Sequence, residues 1–184
     1  AGGKGANLGE MVKAGFPVPL GFVTTSSAYF DLLDHNNLRG KLTDLLADLD
    51  VDDTNQLNEV AERAQNYILS SEIPDNLKQD IINAYKELCN REGTEDVYVA
   101  VRSSATAEDL PGASFAGQQS TFLNISGDLE VVQAVKECWA SLFTARAIFY
   151  RVHNKFEHMK VGLSAIVQKM VQSEKAGVMF TVDP

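Results

Sequence analysis

The sequence predicts an α+β fold with a helical first half and an antiparallel sheet in the second half. Apolar residues recur at helical spacing from about residue 26 to residue 92. A β-branched run, Val97-Tyr98-Val99-Ala100-Val101, then changes the period to that of a buried strand. Two further strand-like runs follow, Ser164 to Val171 and Gly177 to Val182, spaced as an antiparallel hairpin. Residues 1–95 are therefore read as the mainly helical part, and 96–184 as the strand-rich part, which includes a long helix over 128–154.

The elements follow in order. Gly2 to Gly5 form a glycine-rich turn into a helix over Ala6 to Ala14, which Gly15 ends in the left-handed conformation with Pro17 behind it. Leu20 to Thr25 reads as a strand. Ser26 or Ser27 caps a helix to about Leu33, and Leu38, Leu42, Leu45 and Leu49 mark the next. Thr54 caps a helix whose buried side is Leu57, Val60, Ala61, Ala64 and Ile68. Pro74 opens another, with Leu77, Ile81, Ala84 and Leu88 inward and Gly93 as its stop. Arg102 stands at the exit of the strand at Val97. Ser103 to Gly117 is a loop of Ser, Ala, Thr, Gly and Pro, long enough to be functional. Ser120 to Ile125 resumes as strand, and Asp128 caps the long helix with Val132, Val135, Trp139, Leu142 and Phe149 in line.

Composition narrows the function. With 45% hydrophobic residues the chain can build a packed core, and no apolar run approaches the ~18–20 residues of a membrane span. A net charge of −9 without clustered Lys and Arg argues against a nucleic-acid partner. Cys89 and Cys138 both sit among apolar residues, as buried thiols do in a reducing cytoplasm. Together these features predict a soluble, cytoplasmic protein. The start at Ala1 without Met and the stop at Pro184 read as cuts through a longer chain, so the site is expected to be incomplete and inactive in isolation.

Few residues carry chemistry. Lys4 lies within Gly2-Gly3-Lys4-Gly5 at a helix start, where free backbone N–H groups and the helix dipole favour an anion. The P-loop pattern is absent, and the structural alternative is an exposed terminal lysine. Arg102 leaves an apolar strand beside Ser103 and Ser104, a setting for forked phosphate contact; an ion pair with Glu108 or Asp109 is the alternative. The small residues of Gly112 to Gly117 permit close backbone approach to a ligand. Gln168 interrupts an apolar strand and could present its amide to an adenine pocket or face solvent by alternation. His35, His153 and His158 lack metal-ligand spacing and read as surface or packing residues, and no hydrolytic triad or metal cluster emerges.

Three stretches are more specific together than apart: Gly2-Gly3-Lys4-Gly5-Ala6-Asn7-Leu8-Gly9-Glu10, Val101-Arg102-Ser103-Ser104-Ala105-Thr106-Ala107-Glu108-Asp109-Leu110-Pro111, and Phe115-Ala116-Gly117-Gln118-Gln119. With Val167-Gln168-Lys169-Met170-Val171 and Gly177-Val178-Met179-Phe180-Thr181 they resemble, in order and over nearly the whole chain, the ATP-binding domain of phosphoenolpyruvate synthases and related dikinases. The resemblance implies a truncated ATP-grasp fold that binds ATP and Mg²⁺. It also implies a swivelling domain whose histidine takes a phosphoryl group from ATP, and a third domain that binds pyruvate. It places nucleotide contacts on Lys4, Arg102, Gly117, Thr121 and Gln168, with Lys4 and Arg102 on the phosphates and Gln168 on the adenine side. Metal ligands and the swivelling histidine are expected outside this chain. Ser120 departs from the pattern, standing where an acid is expected. The other readings are a rifampicin phosphotransferase, which shares a similar front domain, and a scaffold that merely inherited the fold.

Overall fold

The computed structural model describes residues 2–105 and 120–177. Within them the order is α1 (Gly3–Lys13), β1 (Gly21–Thr24), α2 (Ser26–His35), α3 (Leu38–Ala47), α4 (Thr54–Leu69), α5 (Asp75–Glu92), β2 (Val99–Ala105), β3 (Thr121–Ile125), α6 (Asp128–Ala140), α7 (Ala145–His153) and β4 (Leu163–Lys169). The four strands form one antiparallel sheet in the order β1-β4-β2-β3, so the fold class is the expected α+β. Strand β4, last in sequence among the described strands, is interior in space and joins the N-terminal strand to the two middle ones. Against the hairpin reading, its described partners are β1 and β2; the second arm of that hairpin begins at Gly177 and otherwise lies outside the described residues.

The helices follow their apolar stripes. On α4 the buried residues are Leu57, Val60, Ala61, Ala64 and Ile68, the five that the spacing predicts. The cap moves by one residue, because the Asp53 carboxylate accepts from the Asn55 and Gln56 N–H groups, a stronger acceptor than the Thr54 hydroxyl. Thr25, one residue before the two expected serines, occupies the N-cap position of α2. On α5 the buried side turns toward Ile82, Tyr85 and Cys89 beside Ile81 and Leu88, and Gly93 ends the helix at φ 70°, as its freedom from a Cβ allows. Both cysteines are buried free thiols.

The long helix expected over 128–154 is two. After α6, Ser141–Phe143 forms a 3-10 turn, and Thr144 goes extended (φ −62°, ψ 149°) to cap α7 through its hydroxyl, which accepts from the Ala147 N–H. The break turns α7, leaving Phe149 39% exposed although it lies on the α6 stripe when extrapolated. Trp139, Val135, Leu142 and Phe143 fill the space between the sheet and the helices, with Tyr29, Leu32, Leu42, Ile68 and Ile148 across from them.

A buried cation fastens the far side of this core. Arg151 on α7 is 1% exposed, lies 5.3 Å above the Phe143 ring, and donates from Nε to Nδ1 of His158 at 2.9 Å. A ring that accepts at Nδ1 is neutral and carries its proton on Nε2. Burial, helped by the Arg151 charge, pushes the His158 pKa down from 6.5 to about 4. The folded state therefore resists a proton that the unfolded chain accepts near pH 6.5. This contribution to stability is complete above that pH and is lost as pH falls toward 4. Urea midpoints measured across that window should fall more steeply for the wild type than for His158→Gln. Equal slopes would assign the acid sensitivity to carboxylates instead.

Candidate functional site

The register sorts the strands into two faces, since directly opposed residues in an antiparallel pair share a face. Val99, Val101, Ala105, Ala165 and Val167 are buried and face the helical core. The opposite face carries Ala100, Arg102 and Ser104 on β2, opposed to Gln168, Ile166 and Ser164 on β4. Thr121 of β3 stands across from Arg102, and Gly21 and Val23 of β1 stand across from Gln168 and Ile166. Three of the sequence-predicted residues thus meet on one face. Arg102 and Thr121 are directly paired, and Gln168 is one diagonal step away, about 7–8 Å.

Arg102 is exposed and occupies the fourth position of the seven-residue β2, not its exit. The strand continues through Ser103, Ser104 and Ala105 because β4 offers a full ladder to Leu163, so the expected loop starts later than its composition indicates. Glu108 and Asp109, the alternative partners of Arg102, lie outside the described residues, as does Gly117.

Lys4 reaches the same place from the other end of the chain. The helix starts at Gly3, earlier than the glycine turn implies: Gly2 is the extended N-cap (φ −72°, ψ 172°), and the first helical bond closes from Ala6 N–H to Gly2 O at 3.1 Å. Gly15, at φ 81°, follows the end of α1 as expected. The start of α1 lies against β2 and β4, where the Gly2 N–H donates to Ser164 Oγ at 3.0 Å and Lys4 Nζ donates to Ser103 O at 3.2 Å. The Lys4 ammonium is thereby placed beside the residue that follows Arg102 in the chain. A lysine and an arginine, 98 positions apart in sequence numbering, converge at a helix N-terminus. The described strand residues of this face include hydroxyls and an amide but no carboxylate, so the donor set suits an anion and not a divalent cation.

Beside these charges runs an apolar cleft of about 310 Å³ between α1 and the β1/β4 edge, lined by Leu8, Val12, Val18, Leu20 and Ile166, with Gln168 at its wall. Leu8 and Val12 are one helical turn apart, as a single side of α1 requires. Gln168 is half-buried, and its Nε2 donates to Pro19 O at 3.2 Å, which places it against the cleft instead of in open solvent. Lys169, the next residue, pairs with Glu92 of α5. The sequence reading missed Ser164 as part of this site. The available signal was a buried hydroxyl within an otherwise apolar strand, Leu163-Ser164-Ala165-Ile166.

Comparisons with known proteins agree with one another. The chain matches the family model described as pyruvate phosphate dikinase, AMP/ATP-binding domain, over residues 1–184. It is 55% identical over 184 residues to a probable phosphoenolpyruvate synthase of Methanothermobacter thermautotrophicus, the match covering 100% of this chain and 27% of that protein. A probable phosphoenolpyruvate synthase of Methanocaldococcus jannaschii is 54% identical over 184 residues, 100% of this chain and 16% of the relative. The phosphoenolpyruvate synthase of Pseudomonas aeruginosa is 52% identical over 188 residues, 99% and 24%. The chain therefore spans about a quarter or less of the length of these curated relatives.

Proposed function

The chain belongs to the pyruvate phosphate dikinase AMP/ATP-binding family, and from that premise we propose that it is the ATP-binding part of a phosphoenolpyruvate synthase, converting ATP, pyruvate and water to AMP, phosphoenolpyruvate and phosphate. The observation that carries the reading is the meeting of Lys4 and Arg102 beside the α1 N-terminus, on a sheet face that continues into an apolar cleft. Phosphoryl transfer asks little covalent chemistry of a protein. It needs the phosphates held in line and their charge stabilised.

In this proposal Lys4 and Arg102 hold the phosphates, the rigid fork of Arg102 setting their orientation and Lys4 adding a mobile charge. Thr121, paired with Arg102, offers a hydroxyl on the same side, and Gly117, outside the described residues, keeps the nucleotide contact that the resemblance assigns to it. Gln168 borders the cleft, whose apolar walls suit a purine ring. Mg²⁺ would neutralise phosphate charge, and the family resemblance assigns its ligands to later segments of the parent chain. The phosphoryl acceptor is a histidine on a swivelling domain of the parent chain, which hands the group to pyruvate held in a further domain. The three histidines here do not take that part, since His35 and His153 are exposed at helix ends and His158 is engaged by Arg151.

The products test the proposal. Nucleotide chromatography after turnover by the full-length parent with pyruvate should show AMP and inorganic phosphate. ADP as the sole nucleotide product would exclude the dikinase route and point to a simple kinase.

A further inference from the structure

We propose that Ser164 is a positioning residue for the nucleotide phosphates, acting through the start of α1, and this rests on the ATP-binding reading above. Ser164 is 0% exposed as the second residue of the interior strand β4, where a small apolar residue would be the ordinary choice. Its hydroxyl oxygen accepts the Gly2 N–H at 3.0 Å, a buried bond that joins residues 162 positions apart. Gly2 carries no side-chain cap of its own, so Ser164 holds the N-cap residue of a helix whose leading amides precede the first intrahelical bond.

The approach is close as well as bonded. A Cβ built on Gly2 would lie 2.4 Å from Ser104 Oγ and 2.6 Å from the Ala105 and Ser104 carbonyl oxygens. Only glycine allows the backbone to settle this far onto β2. Ser104, opposite Ser164 in the ladder, is itself fully buried, and its hydroxyl has no hydrogen-bond partner, so the seat is shaped by steric contact on one side and by the Ser164 bond on the other. Two residues beyond Gly2, Lys4 Nζ reaches the Ser103 carbonyl beside Arg102. The distance between the two phosphate-binding cations is therefore governed by how firmly Gly2 is seated. Ser164 does not touch the ligand; it sets where Lys4 and the α1 amides meet it.

The full-length parent provides the test. Ser164→Ala should raise the KM for ATP about tenfold, with the KM for pyruvate unchanged and the melting temperature of the nucleotide-free protein close to wild type. Ser164→Thr, which keeps the oxygen acceptor, should recover most of the ATP affinity. Gly2→Ala, which lifts the same contact from the other side, should reproduce the ATP defect. A folded Ser164→Ala enzyme with wild-type KM for ATP would overturn the proposal, as would equal losses for ATP and pyruvate. Should Ser164→Ala fail to fold, the Gly2→Ala and Ser164→Thr pair decides, and a normal KM for ATP in Gly2→Ala overturns it. Absence of ATP binding by the wild-type parent would instead refute the ATP-binding reading itself.

Discussion

Arg102→Ala in the full-length parent is expected to lower transfer of the radiolabelled phosphoryl group from ATP to the protein by about 10²–10³-fold, the loss typical for removing one preorganised group that stabilises charge in a transition state. Arg102 is exposed on the sheet face, away from the core, so its removal leaves the fold intact. Arg102→Lys should recover only part of the rate, because a point charge replaces a forked donor. Lys4→Ala should show a loss in the same direction, since Lys4 reaches the strand beside Arg102. If the two cations act on the same phosphates, the double variant will lose less than the product of the two single effects. Near-normal labelling by a folded Arg102→Ala protein would return Arg102 to an ion-pair role.

Trp139→Ala is expected to cost about 3–5 kcal/mol of stability, enough to threaten folding of a domain with ordinary reserves. Trp139 is 0% exposed on α6, and α6 packs against α4, α5 and strands β2, β3 and β4. The cavity would therefore open where the helical part meets the sheet. Trp139→Phe should cost much less than the alanine change. It retains most of the apolar volume, and it removes an indole N–H that is buried without a hydrogen-bond partner. Guanidinium unfolding followed by circular dichroism reads both. An alanine variant within about 1 kcal/mol of wild type would show that this part of the core relaxes to fill the gap.

Local periodicity and short motifs account for part of this fold without reference to distant residues. The stripe Leu57, Val60, Ala61, Ala64 and Ile68 turns inward because steps of three and four residues keep it on one helix face. Gly15 and Gly93 end their helices because a left-handed backbone carries no penalty without a Cβ. The glycine-lysine start, Arg102 with its serines, and Gln168 were legible as candidate anion and cleft residues, because those residue types are unusual next to apolar strands. Tertiary structure decided what depends on partners far away in the chain. Strand β2 runs past Arg102 because β4 supplies its ladder, and no local feature of Ser103-Ser104-Ala105 announces a strand. The long helix breaks at Thr144 because a hydroxyl cap competes with helix continuation once the packing of Phe143 turns the chain. Lys4 meets Arg102 only because Gly2 can lie against β2 and bond Ser164, an approach set by the absence of one Cβ and the presence of one buried hydroxyl. Such long-range contacts leave no period in the sequence, since the free energy that favours them is gained only when the sheet brings residues 2, 104 and 164 together.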